Sequence, residues 1–225
     1  EIDMRKSKKL IITFTLITII ALLAIISYQT ISAYYTHKDN VTNKFKVGEL
    51  EVHVTEPNYE DNKVVSPNDE ITKDPTFSNV GEVDGYIRAQ VYVPISKDIK
   101  YVDANENIVV PTEEIELVSY EINEGWQVVT EEGFSGIYTD EKGNSYKVYT
   151  YKYLENGQEK IVGAGEAIEK TLFNKVKVIN YLDIDQNTNL EIHVAAIAIQ
   201  SQGGSADEMW TYYKNQNGTG IVGVE

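Results

Sequence analysis

Between Tyr86 and Val93 the chain alternates with a period of two. Ile87, Ala89, Val91 and Val93 are aliphatic, and Tyr86, Arg88, Gln90 and Tyr92 stand between them. A strand sends successive side chains to opposite faces, whereas a helix would mix these two sets on every side. This segment is therefore a strand with two chemically different faces. The turn Gly81-Glu82-Val83-Asp84-Gly85 precedes it, and Pro94 is expected to end it or to place its end at a sheet edge.

The same pattern recurs along the chain. Phe45 and Val47 alternate, then Leu50, Val52 and Val54 alternate on the opposite parity, so Gly48 is expected to mark a bulge or bend. Further strands are predicted at 76–80, 115–122, 126–129, 176–178 and 190–199. The last of these is apolar on both faces and is expected to be central, covered on each side. A hairpin is expected around Asp140-Glu141-Lys142-Gly143-Asn144, ahead of a run in which Tyr149, Tyr151 and Tyr153 share one face. Residues 164–171 have helical propensity, but the alternating Val176 and Val178 that follow favour a loop leading into a strand. Tyrosine occurs 16 times against 5 Phe and 2 Trp, a choice that suits pleated, half-buried surfaces.

Roughly eight to ten strands spaced by turn signals, with no βαβ rhythm, predict an all-β, antiparallel β-sandwich of jelly-roll type. Its body spans 48–214, with no internal repeat and no second-domain boundary. Gly203 to Glu208 reads as a cap opening a short helix, Asp207 to Tyr213, that carries Trp210. The Gly-rich stretch 215–225 reads as a loose tail.

The N-terminus carries a different signal. Arg5, Lys6, Lys8 and Lys9 precede an aliphatic run from Leu10 to Ile26, and small residues close it. A basic end, an apolar middle and a small-residue close describe a signal peptide over 1–33, entering the bilayer as a helix. Cleavage is expected between Ala33 and Tyr34. The alternative is an uncleaved anchor, since the run approaches the roughly 20 residues a spanning helix needs. Residues 1–33 carry four positive and two negative charges, so a formal net charge of −15 becomes −17 once they are removed.

That acidity repels phosphate and argues against nucleic-acid binding. The absence of cysteine removes disulfides and thiolate chemistry. The three histidines, His37, His53 and His193, are scattered, and no H-E-x-x-H occurs. His53 and His193 sit between aliphatic neighbours and read as solvent-facing strand residues. Asp183, Asp185, Asn187 and Asn189 alternate like the start of a calcium loop, but Thr188 and Val194 replace its glycine and its glutamate, so a polar turn is the simpler reading. Glu113-Glu114, Glu131-Glu132 and Asp140-Glu141 read as solvated turns. The chemistry implies no cofactor, no metal and no catalytic residue.

Several motifs in order carry a resemblance. Ser32-Ala33-Tyr34-Tyr35-Thr36, Phe45-Lys46-Val47-Gly48-Glu49-Leu50, Ile71-Thr72-Lys73-Asp74-Pro75, Asn79-Val80-Gly81, Asp84-Gly85-Tyr86-Ile87-Arg88, Gly125-Trp126, Leu172-Phe173, and Ala198-Ile199-Gln200 followed by Met209-Trp210 together resemble the TasA/camelysin family. Those are secreted proteins of Gram-positive bacteria processed by a SipW-type signal peptidase. The resemblance implies a jelly-roll subunit of biofilm matrix fibres or cell-surface filaments, located outside the cell. Its partners would be further copies of itself, the signal peptidase during export and other matrix proteins. It also implies that the mature N-terminal segment, 34–47, can complete the sheet of a neighbouring subunit, with Tyr34 and Tyr35 as anchors and Phe45 and Val47 as apolar plugs. The other reading keeps Phe45 and Val47 in the first strand of their own domain. Two further functions stay open: a camelysin-like surface metalloprotease, and a β-sandwich binding module anchored in the membrane by its N-terminal segment. Intact-mass measurement of the exported protein is expected to give a chain beginning at Tyr34, and retention of residues 1–33 would favour the anchor.

Overall fold

A computed structural model describes residues 36–39, 50–59, 65–185 and 188–224. The chain divides into two units, Glu1–Thr36 and His37–Glu225, and almost every described residue belongs to the second. The segment with the clearest alternation lies at its centre. Strand β5 (Gly85–Ser96) pairs antiparallel with β12 (Ser145–Glu155) and with β17 (His193–Gln200). β1 (Thr36–Asp39) lies outside β17, and β10 (Trp126–Val128) outside β12, giving the order β1-β17-β5-β12-β10. β11 (Gly136–Thr139) and β13 (Gln158–Glu159) add to β12, while β8 (Ile115–Glu116) and β14 (Ile161–Val162) add to β5, which makes a nine-stranded sheet.

Among the described residues, three small sheets complete the β-structure. They are β3 (Glu70–Thr72), β15 (Lys175–Val178) and β9 (Val118–Tyr120); β2 (Val52–Thr55) with β4 (Thr76–Asn79); and β16 (Tyr181–Ile184), β6 (Ile99–Val102) and β7 (Ile108–Val109). One helix, α1 (Ala206–Asn217), occurs among the described residues. The fold is all-β with a short C-terminal helix.

The odd face of β5 forms the main core. Ile87, Ala89, Val91 and Val93 share one cluster with Ala196 and Ala198 of β17, and with Val52, Phe77, Val118, Val176 and Val178 of the smaller sheets. Each large side chain buried there contributes about 1.5–3 kcal/mol. Close approach is strict at Gly85, where a Cβ would stand 2.7 Å from a Leu50 methyl and 2.9 Å from the Ile199 carbonyl oxygen.

The even face is buried as well. Arg88, Gln90 and Tyr92 are each 0 % exposed. Arg88 makes bidentate pairs with two carboxylates, Glu131 (3.0 and 3.1 Å) and Glu159 (both 3.0 Å). Its guanidinium also lies 4.8 Å from the Phe134 ring centre and 4.4 Å from that of Trp210 on α1. The Trp210 indole N–H donates to Glu159 at 2.6 Å. Planar guanidinium geometry allows both pairings and both ring contacts at once. Met209 and Tyr213 of α1 are buried beside this cluster.

Several expectations change here. The β5 alternation is real, but its polar set faces a second packed layer. Pro94 does not end the strand, which continues to Ser96 and pairs with β8; the Pro94 carbonyl accepts the Leu117 N–H at 2.9 Å. The predicted strand 115–122 is two strands, β8 in the main sheet and β9 in a smaller one, because the chain turns a corner between layers at Leu117. β17 is covered on both faces, yet β5 takes the centre and β17 lies one strand from the edge. The expected helix is longer, and the Glu208 carboxylate accepts the Ser205 N–H at its start (2.9 Å). The tail is seated rather than loose: Val222 is 3 % exposed because buried polar groups on β5 need its backbone.

Arg88→Ala leaves Glu159, whose side chain is 4 % exposed, without its counter-charge. A loss of about 3–5 kcal/mol is expected in urea unfolding. Arg88→Met with Glu159→Gln should recover part of that loss.

Candidate functional site

His53 and His193 lie on different strands. His53 is exposed on β2, opposite Ser78. His193 opens β17 opposite Tyr92 and is half-buried, which corrects the solvent-facing expectation for it. Its ring lies edge-on to Tyr146 at 5.4 Å, with Nε2 3.3 Å from the Tyr146 hydroxyl. That hydroxyl also accepts from the Asn189 amide at 2.6 Å and stands 3.4 Å from Asp140. Burial holds the His193 pKa below its usual value of 6.5. The Glu191 and Asp140 carboxylates act in the opposite sense, while Lys73 and Lys142 reinforce the lowering. Burial together with Asp140 pushes the Tyr146 hydroxyl up to about 12.

Among the described residues, no three or more His and carboxylate side chains are grouped as a metal ion would require. Asp183 stands on β16, 3.9 Å from Lys100, with both side chains largely exposed; Gln186 and Asn187 of the calcium-like run lie outside the described residues. Of the acidic pairs, Asp140 caps its own turn, accepting the N–H groups of Lys142 (2.9 Å) and Asn144 (2.8 Å). Glu131 is not a bare turn residue, since it neutralises Arg88.

The tyrosine face turns inward. The Tyr149 hydroxyl donates to Glu116 at 2.6 Å, Tyr151 shares a hydrogen bond with Tyr120 at 3.0 Å, and the Tyr153 ring packs 5.4 Å from Trp126. These tyrosines join β12 to the corner at β8 and β9 and to β10. Cross-strand aromatic packing accounts for them.

The feature with binding chemistry is the sheet margin. β1 is the terminal strand of the nine-stranded sheet and comes from the segment 34–47. Ala33, Tyr34, Tyr35, Phe45 and Val47 lie outside the described residues. A terminal strand is held along one side by backbone hydrogen bonds, which any extended segment can supply. Beyond it, Leu50 (5 % exposed) and Val52 (1 % exposed) are already in the core. The candidate site is therefore the β17 margin together with the strand that fills it. A second feature escaped sequence reasoning: residues 219–224 lie across the even face of β5. Its signal was the aliphatic pair Ile221-Val222 inside a Gly-rich stretch.

Comparison of the chain with protein-family models, with curated proteins and with solved structures finds no match. Among the described residues, no helix is long and apolar enough to cross a membrane.

The lowered His193 pKa has a definite sign. Above pH 6.5 both the folded and the unfolded forms are neutral; below it the unfolded chain takes the proton first, so stability falls as pH drops toward the folded-state pKa. Thermal melts are expected to show a lower Tm at pH 5.5 than at pH 7.5. His193→Gln should flatten that slope.

Proposed function

We propose that this chain is a secreted structural subunit of extracellular, biofilm-type matrix fibres or cell-surface filaments, assembled by β-strand complementation. The observation that carries the reading is the place of β1. The segment that a signal peptidase would free at Tyr34 supplies the terminal strand of the main sheet, beside β17. The backbone bonds that such a strand gives up on leaving lie along one side, and the same segment of another copy can restore them. Donation from one subunit to the next does not close on itself, so it builds a filament. Cleavage would then act as the trigger, because a segment still joined to residues 1–33 cannot move freely to a neighbour.

The layered sheets suit a jelly-roll sandwich of the TasA/camelysin type, and the motifs named above support that likeness. Asn79 is an example. Its side chain donates to the Val83 carbonyl (2.8 Å) and the Val162 carbonyl (3.0 Å) and accepts from the Gly81 N–H (3.0 Å). That makes Asn79-Val80-Gly81 the clasp of the turn leading into β5. The second reading, a membrane-anchored module, rests on the apolar run Leu10 to Ile26 alone.

Protein beginning at Tyr34 is expected to form fibres in negative-stain microscopy at high concentration. The same protein lacking 34–44 is expected to stay monomeric. Monomers from both, or fibres from both, would sink the strand-donation reading.

A further inference from the structure

The seat of residues 219–224 has the properties of a ligand site. Its floor is the even face of β5 and β12, where Gln90, Tyr92 and Thr150 are each 0 % exposed. Two of these polar side chains are bonded to the segment above them. The Gln90 amide donates to the Gly220 carbonyl at 2.7 Å, and its oxygen accepts the Val222 N–H at 3.1 Å. The Tyr92 hydroxyl donates to the Val222 carbonyl. At the ends, the Gly220 N–H donates to the Gly133 carbonyl at 2.9 Å, and the Tyr138 hydroxyl to the Val224 carbonyl at 3.2 Å. One extended stretch of backbone is thus read by side chains from β5 and β11 and by the loop before β11.

The seat also selects side chains. A Cβ at position 220 would overlap the Phe134 ring, so only glycine fits there. Val222 is 3 % exposed, while residues 219 and 223 are exposed. We propose that this seat is a peptide-binding groove for an extended Gly-x-Val segment, and that the 219–224 segment of a second copy of this chain can occupy it in place of its own.

The choice of occupant follows from the contacts. These five bonds use the segment's main chain, the Thr219 hydroxyl adds a bond to the Gly133 carbonyl (3.4 Å), and the two selective positions are Gly220 and Val222, so an identical segment from another copy satisfies every group equally. An empty seat is costly, because Gln90 and Tyr92 would keep only the Gln90–Thr150 (3.0 Å) and Tyr92–Gln90 (2.9 Å) bonds and the buried Val222 side chain would enter water. A segment that leaves must therefore be replaced, and its equal is present at the same concentration as the chain. The joint is favourable too: Gly218 ends α1 in the left-handed conformation (φ 72°) with open space around it. Reciprocal exchange closes into a pair related by a two-fold axis, so it would tie subunits side by side instead of lengthening a filament. The inference concerns the opposite end of the chain from β1 and holds whether or not β1 is exchanged.

The probe is a fluorophore-labelled peptide, Thr-Gly-Ile-Val-Gly-Val, and a second with alanine in place of its first glycine. The full chain carrying Val222→Asp cannot seat its own segment, but its groove residues are untouched. It is expected to bind the first peptide at least tenfold tighter than the unaltered chain does, and the alanine peptide at least tenfold more weakly. Equal binding of the two peptides, or binding of neither, overturns the groove. Should Val222→Asp not fold, the unaltered chain decides the matter by amide exchange in millimolar peptide. Exchange at 221–224 is expected to accelerate at least tenfold with β5 unchanged; no acceleration overturns the proposal.

Discussion

A guanidinium without contact to water sits in the middle of the largest sheet, and the layer on the even face of β5 is organised around its neutralisation. Leaving Arg88 uncompensated would cost several kcal/mol. Glu159 and Glu131 supply two carboxylates, and Phe134 and Trp210 supply ring faces above the remaining surface. Those four residues come from β13, the loop before β11 and the C-terminal helix. One charged side chain therefore recruits three distant parts of the chain to the even face of β5. The three buried residues of the helix, Met209, Trp210 and Tyr213, share one face, and Trp210 fixes that face over the guanidinium.

Once the even face is closed, β5 becomes a strand buried on both sides, and the odd face can pack tightly against the smaller sheets. Polar chemistry inside the fold is spent on cohesion: Gln90 and Tyr92 hold the C-terminal segment, Asn79 holds the turn before β5, and Tyr120 and Tyr151 hold each other. What remains for partners is backbone at the margin of the sheet and a segment seated by its main chain. Both are surfaces that another extended peptide can satisfy. These two features carry the assembly proposed above.

Much of this was legible from residue pattern. The β5 alternation, the hairpin at Asp140 to Asn144 and the strand pair with Tyr149, Tyr151 and Tyr153 on one face all follow from period two and turn chemistry, and the structure has them in register. The Gly203 to Glu208 cap likewise precedes a helix. Other features were hidden for physical reasons. Nothing in Ile115 to Ile122 distinguishes one strand from two that change sheets. Pro94 lacks a donor, but its carbonyl still joins the neighbouring chain, so the strand passes through it. His193 reads as a surface residue in the sequence because Tyr146, the ring it packs against, lies 47 residues away.

Local alternation, turn residues and charge were enough to determine an all-β chain, its acidic balance and the strand character of β5, because each depends on residues close together in sequence. Tertiary structure alone decided which face of β5 would be polar yet dry, which carboxylates would meet Arg88, that residues 219–224 would be pinned, and that β1 would stand at the margin. Those outcomes depend on groups tens of residues apart meeting in a medium of low dielectric, where an unpaired charge or hydrogen-bonding group is costly enough to dictate the arrangement.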